Sequence, residues 1–277
     1  AGAIGVAIAN NQMGGAMQMP GMGAVTIPVM SVSLNGGNII KNAITSSSGA
    51  ATVRLLRSNR DGTLDNAVVA HEWGHYVSNR LIGDANGLSN QQGVGMGEGW
   101  GDFHGMLMTV RETDVSVPGN TNWEGVYSLA GWAGFTTDPQ GYYYGFRRYP
   151  MSTALNKNPL TFRHISNGVA LPMNPAPAFG ASGNSNAEVH ATGEVWAVML
   201  WEVYAALLRD PRYTFAQAQG HMKRYLIGGY KATPDMPTFV DARDAVLAVA
   251  AALRAGPAFA ATAAAERIAL LRAILAG

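Results

Sequence analysis

Apolar positions change their period as the chain proceeds, and each change marks a different kind of element. The first 45 residues hold two β-like runs, GAIGVAIAN and AVTIPVMSVS, separated by a loop rich in Gly, Met and Gln. Gly36-Gly37 then lead into an amphipathic stretch, NIIKNAI, and a small-residue linker runs from Thr45 to Gly49. ATVRLLR reads as one more strand. Beyond it, the loop RDGTLDN introduces the helical pattern VVAHEWGHYVSNRLI, with Asp65 placed to cap its start and Gly83 to stop it. A polar loop from Asp84 to Gln92 precedes a second helix, expected over about Gly97 to Arg111.

Residues 114–186 have little periodicity and many Gly, Pro, Asn, Tyr and Trp, as expected of a functional segment or an excursion over the surface. From Asn186 onward the pattern turns helical again. EVHATGEVWAVMLWEVYAALL, FAQAQGHMKRYLI, DARDAVLAVAAALR and AAERIALLRAIL all space apolar residues by three and four. No internal repeat is visible. The expected class is α+β: a partial β-rich N-terminal region followed by a mainly α-helical domain.

Composition narrows the chemistry. Of 277 residues, 48% are hydrophobic and only 13% charged, and the net charge of +1 gives no reason to expect nucleic acid or an anionic membrane as partner. No uninterrupted apolar run reaches the length of a membrane span. The sequence opens at Ala1 without an initiator Met or a signal-like segment, as a fragment or trimmed product would. There is no Cys, so disulfides and thiolate chemistry are excluded and any metal must be held by His, Asp or Glu.

That restriction gives weight to His71-Glu72-Trp73-Gly74-His75. Two His four apart stack on one helix face and can reach one ion. A Glu directly after the first His points near that ion but too far around to be a good ligand, which suits a base acting on metal-bound water. The bland alternative is a pair of structural histidines on a half-buried helix. Downstream, GMGEGWGDFHG offers Glu98 and, one turn on, Asp102. Zinc needs a third protein ligand and an open position, and this spacing lets one carboxylate bind metal while the other accepts a hydrogen bond from a ligand imidazole. Gly97, Gly99 and Gly101 are poor helix residues, costing roughly 1 kcal/mol each, and make sense where two helices must approach closely around an ion. Here the bland alternative is a pair of solvated surface charges.

VVAHEWGHYVSNRL followed by GMGEGWGDF resembles the fungalysin family of secreted zinc metallopeptidases, relatives of the thermolysin-like group that holds zinc with two His and a Glu. RDGTLDN is similar to the family's entry into the zinc helix. GFRRYPMSTALNKNPLTF, VHATGEVWAVMLWEVY and PTFVDARDAVL extend the likeness discontinuously from about Asp61 to Ala250. The resemblance implies that His71, His75 and Glu98 bind one catalytic zinc ion, that Glu72 is base and proton shuttle, and that Asp102 orients a ligand imidazole. It also implies a secreted, extracellular endopeptidase acting on proteins or peptides, with its own propeptide as a further partner. His190 falls in a segment that in related enzymes supplies a donor to the oxyanion. The thermolysin-like pattern places a Tyr before the third ligand. No Tyr lies between Val77 and Gly97, which leaves Tyr142, Tyr143, Tyr144 and Tyr149 open.

GAIGVAIANN and VTIPVMSVSLNGGNIIKNAI resemble the latter half of a protease-associated domain. On that reading, residues 1–48 are the C-terminal part of such a domain. Residues 49–277 are then a zinc metallopeptidase catalytic domain with its zinc site between two helices and its N-terminal sheet incomplete. The alternative is the N-terminal β part of the catalytic domain itself. His104, His164 and His221 are expected to be structural or surface residues, and Trp196, Trp201 and Tyr204 a core stripe. Asp61 and Asp65 are a calcium candidate, although two carboxylates in a turn more simply cap a helix. A protein-binding remnant with structural zinc is a different class of reading. Glu72 argues against it, because structural zinc needs no base. An aminopeptidase is a third.

Overall fold

The computed structural model describes residues 5–11, 29–48, 52, 60–134 and 140–254. The strand expected over 51–57, apart from Thr52, and the helical stretch AAERIALLRAIL lie outside these residues. At the N-terminus, β1 (Val6–Ala9) and β2 (Val29–Val32) pair in parallel, with Val6 opposite Val29 and Ala9 opposite Val32. Parallel pairing of this kind cannot be closed by a two-residue hairpin. The amphipathic stretch becomes α1 (Leu34–Ser46), capped by Ser33 Oγ accepting from Gly36 N at 3.0 Å, and packs on both strands.

Helices dominate the rest, as the α+β pattern predicts. α2 (Asn66–Leu81) begins at Asp65, whose Oδ1 accepts from Ala67 N while Oδ2 accepts from Ala133 N, both at 2.9 Å. The cap therefore also ties α2 to a short helix, α4 (Gly131–Gly134). α3 (Gln91–Thr109) starts well before the expected Gly97, with Asn90 Oδ1 accepting from Gly93 N. The expected loop from Asp84 to Gln92 is correspondingly shorter. Gly93 and Gly95 weaken the helical signal locally, but both are buried and tertiary packing overrides the propensity.

The aperiodic segment is not a surface excursion. It holds 3-10 turns at Glu112–Ser116 and Phe162–Ile165, α4, α5 (Gly141–Tyr144) and a lone bridge between Tyr127 and Met151. Trp123, Tyr149, Met151, Leu160, Ile165 and Leu171 from this segment are buried in the main core. α6 (Val189–Arg209), α7 (Phe215–Ala232) and α8 (Phe239–Arg254) complete the fold. α6 is long and apolar enough to pass for a membrane span, but Trp196, Trp201 and Tyr204 are at most 1% exposed inside the packed core, the stripe expected from sequence. Trp196 meets Trp100 of α3 and Phe239 of α8, and Tyr204 meets Phe103 of α3, edge to face.

α3 is the middle helix, with α2 on one side and α6 on the other. Glycines set both separations. A Cβ on Gly74 of α2 would stand 2.9 Å from Gly101 Cα, and one on Gly101 would stand 2.8 Å from the His71 ring. On the other side, a Cβ on Gly193 of α6 would lie 2.7 Å from both Glu98 Cβ and Gly99 N. Gly220 of α7, whose added Cβ would meet only the Arg224 guanidinium at 3.7 Å, has no such constraint. Gly101→Ala should therefore destabilise by about 1–3 kcal/mol through overpacking, and Gly220→Ala should be neutral or stabilise by up to about 1 kcal/mol. Urea unfolding of the two variants beside wild type checks the contrast; equal effects would mean that the helix crossing does not need its glycine.

Candidate metal centre

One helical turn separates His71 from His75, and their rings meet edge to face with centroids 4.7 Å apart. From α3, Glu98 presents Oε2 at 3.3 Å from His71 Nε2 and 3.6 Å from His75 Nε2. One ligand atom from each of these residues can be chosen so that all lie within 4.8 Å of one another. His190, at the start of α6, brings its Nε2 to 3.3 Å from the same Glu98 oxygen. Three imidazoles thus converge on a buried carboxylate oxygen that lacks a well-directed hydrogen bond. Burial pushes the Glu98 carboxyl up, but His71, His75 and the charge of His190 outweigh that and hold it far below the usual carboxylate range.

A donor set of two imidazole nitrogens and one carboxylate oxygen, held by two helices and lacking any thiolate, fits a zinc-like divalent cation with a coordination position left open. A cation among these atoms would satisfy the orphaned Glu98 oxygen.

Behind the cluster, Asp102 is completely buried, with Oδ1 2.8 Å from His71 Nδ1. The Arg147 guanidinium grips the same carboxylate at two points, Nε donating to Oδ2 at 2.7 Å and Nη2 to Oδ1 at 2.6 Å. Burial pushes the Asp102 carboxyl up, but the charge and hydrogen bonds of Arg147 together with those of His71 outweigh it and hold it down. His71 responds in turn: burial pushes its imidazole down, and its bonds to Asp102 and Glu98 lift it to about 9. With Nδ1–H donated to Asp102, Nε2 is the ring nitrogen that faces Glu98 and His75, and loss of its proton would free that lone pair for a metal.

Residues 30–264 match the model of the fungalysin metallopeptidase (M36) family. The chain belongs to that family. It is 35% identical over 205 residues to extracellular metalloproteinase 3 of Arthroderma gypseum, covering 69% of this chain and 28% of that protein. Extracellular metalloproteinase 10 of Coccidioides posadasii is 34% identical over 211 residues, 71% of this chain and 29% of its own. Extracellular metalloproteinase mep of Aspergillus terreus is 31% identical over 202 residues, 68% and 27%. The matched stretch thus spans less than a third of these relatives' length.

The other fungalysin-like motifs now acquire positions. Glu72 lies on the exposed face of α2, beside exposed Val69, Trp73 and Tyr76, and outside the buried side that carries His71. His190 is half exposed, and Glu188 accepts from its Nδ1 at 2.6 Å while capping α6 through His190 N and Ala191 N. Sequence reasoning missed four residues. Arg147 and Arg148 sit in the family-like string GFRRYP, and Glu188 and Glu194 in EVHATGEV. Adjacent arginines in a charge-poor segment were the available signal. Arg148 and Glu194 form a second buried ion pair, Nε to Oε2 at 2.9 Å.

The remaining histidines stay outside the cluster, as expected. His104 Nε2 lies 2.9 Å from the Tyr230 hydroxyl, and burial, helped by the His71 charge, pushes it down to about 4. His164 is buried and its Nδ1 accepts from Thr161 N at 2.9 Å. His221 lies against the rings of Tyr213 and Tyr225, tilted to both. The tyrosines left open are engaged elsewhere: Tyr149 donates to Pro172 O and Tyr144 to Ala176 O, Tyr142 accepts from Arg60, and Tyr143 meets Tyr144 edge to face. Asp61 and Asp65 cap helical turns, the simpler of the two readings. Because Asp102 meets His71 and Arg147 in one buried chain, Asp102→Asn should weaken metal affinity by roughly 10–100-fold. Competition with a metal-sensitive chelator measures this, and unchanged affinity would detach Asp102 from the centre.

Proposed function

We propose that this chain carries the catalytic centre of a secreted zinc metalloendopeptidase that hydrolyses peptide bonds in proteins. The observation that supports this most is the convergence of His71, His75 and Glu98 on one point, with Glu72 on the adjoining open face. These three residues are the ligands of a single zinc ion. When bound, zinc supplies Lewis acidity, polarising the scissile carbonyl and acidifying the attacking water.

The chain's own residues do the rest. Asp102, clamped by Arg147, keeps the His71 ring turned with Nε2 toward the ion and raises its basicity as a ligand. Glu72 removes the proton from the attacking water and returns it to the leaving amine, work for which an exposed carboxylate on the ligand helix is suited. His190 donates a hydrogen bond through Nε2 to the oxygen that becomes negative, and Glu188 fixes its ring by accepting from Nδ1.

The substrates are proteins or peptides, and secretion agrees with the relatives being named extracellular metalloproteinases. Residues 1–48 are the end of a protease-associated-like domain, and 49–277 belong to the catalytic domain. Pairing of β1 with β2 and the packing of α1 on both strands suit a separate N-terminal unit.

Glu72→Gln should keep one zinc per chain and lose at least about 1,000-fold in kcat/KM on a peptide substrate, since both proton transfers run through it. Retention of more than a few per cent of activity would remove Glu72 from the base role. His190→Phe should leave zinc in place and lower kcat by roughly 100–1,000-fold, with little change in KM. Zinc loss in that variant would make His190 a ligand, and metal analysis on the same preparation separates the two outcomes.

A further inference from the structure

The turn over residues 145–150 carries adjacent arginines that serve different helices. Arg147 grips Asp102 on α3. Arg148 turns to α6: its backbone N and Nε donate to Glu194 Oε1 and Oε2 at 2.8 and 2.9 Å, Nη1 donates to Asn186 Oδ1 at 2.7 Å, and Nη2 to Ala191 O at 2.6 Å. Every acceptor lies in the first turns of α6 or just before it. Ala191 is the residue next to His190. Arg148 and Glu194 side chains are 3% and 2% exposed, so this grip is shielded from water. Asn186 is itself anchored, donating to Ser166 O at 3.0 Å and Val169 O at 2.8 Å. By contrast, the His190 ring is 51% exposed, and Glu188, which holds it, is 47% exposed. Glu188, which fixes the ring, is itself the N-cap of α6, so the placement of both depends on where the first turn of α6 is held.

We infer that Arg148 is a positioning residue for His190. It locks the start of α6 to the same turn from which Arg147 reaches Asp102, so that α3 and α6 are indexed to one rigid segment. This rests on the reading of His190 as the oxyanion donor. The planar guanidinium matters, because it reaches the Glu194 carboxylate, the Asn186 amide oxygen and the Ala191 carbonyl from one place, whereas an ammonium keeps the charge but not the spread of donors. A displacement of about 1 Å at a group acting in the transition state costs on the order of 100-fold in rate.

The test is a double-mutant cycle in the full-length protease: wild type, Arg148→Lys, His190→Phe and the double variant, each assayed for zinc content, far-UV circular dichroism, kcat and KM. Arg148→Lys should keep stoichiometric zinc and an unchanged spectrum, leave KM within about threefold and lower kcat by roughly 10–100-fold. In the His190→Phe background the same substitution should change kcat by no more than about twofold, because the group it positions is gone. Losses that multiply in the double variant would overturn the proposal, as would zinc loss or normal kcat in Arg148→Lys. If Arg148→Lys fails to fold, Arg148→Gln combined with Glu194→Gln removes both buried charges together, and the same comparison decides. A normal kcat in the His190→Phe single variant would instead refute the oxyanion assignment, and the proposal with it.

Discussion

A carboxylate buried as completely as Asp102 stays ionised only because two partners share its charge. Removing an ion of this kind from water costs several kcal/mol, and breaking such a pair by deleting one partner typically costs about 3–5 kcal/mol. Arg147 meets the cost with a two-point grip, and the remaining capacity of the carboxylate is spent on His71 Nδ1. The result is a rigid chain from the turn at residues 145–150, through α3, to one face of α2. His71 cannot rotate without leaving a buried charge half satisfied, and the geometry of the cluster follows from that.

This chain of bonds and the approach of His190 to Glu98 together need three helices at close quarters, which side chains larger than hydrogen would prevent. Gly74 and Gly101 let α2 settle on α3, and Gly193 lets α6 settle on the opposite side beside Glu98. Low helix propensity in α3 is offset by burial of its aromatic residues against α6 and α7. The same crossing brings His190 to Glu98, so the position of the third helix and the chemistry of the centre are one constraint.

How much of this was legible in the sequence depended on how local the signal was. α2 and its Asp65 cap, and the helical spacing of His71 and His75, lie within a few residues of one another and are read directly. Glu98 and Asp102 followed from the requirement for a third ligand and an orienting carboxylate, with the family resemblance deciding which was which. The start of α3 was missed because Gly93 and Gly95 lower propensity where tertiary burial decides. Arg147 and Arg148 were missed because their partners Asp102 and Glu194 are 45 and 46 residues away, and no period or motif spacing reports such a pairing. The aperiodic stretch from 114 to 186 reads as either a functional segment or a surface excursion because coil has no period; it supplies Trp123, Tyr149 and Met151 to the core, Arg147 to Asp102 and Arg148 to the start of α6.

Anomalous diffraction at the zinc absorption edge addresses the central claim most directly, because it locates the metal independently of activity. A single peak is expected, within about 2.0–2.2 Å of His71 Nε2, His75 Nε2 and a Glu98 carboxylate oxygen, with Asp102 still bonded to His71 Nδ1. A peak coordinated by His190 in place of Glu98, or no peak among these residues in zinc-loaded protein, would contradict the account.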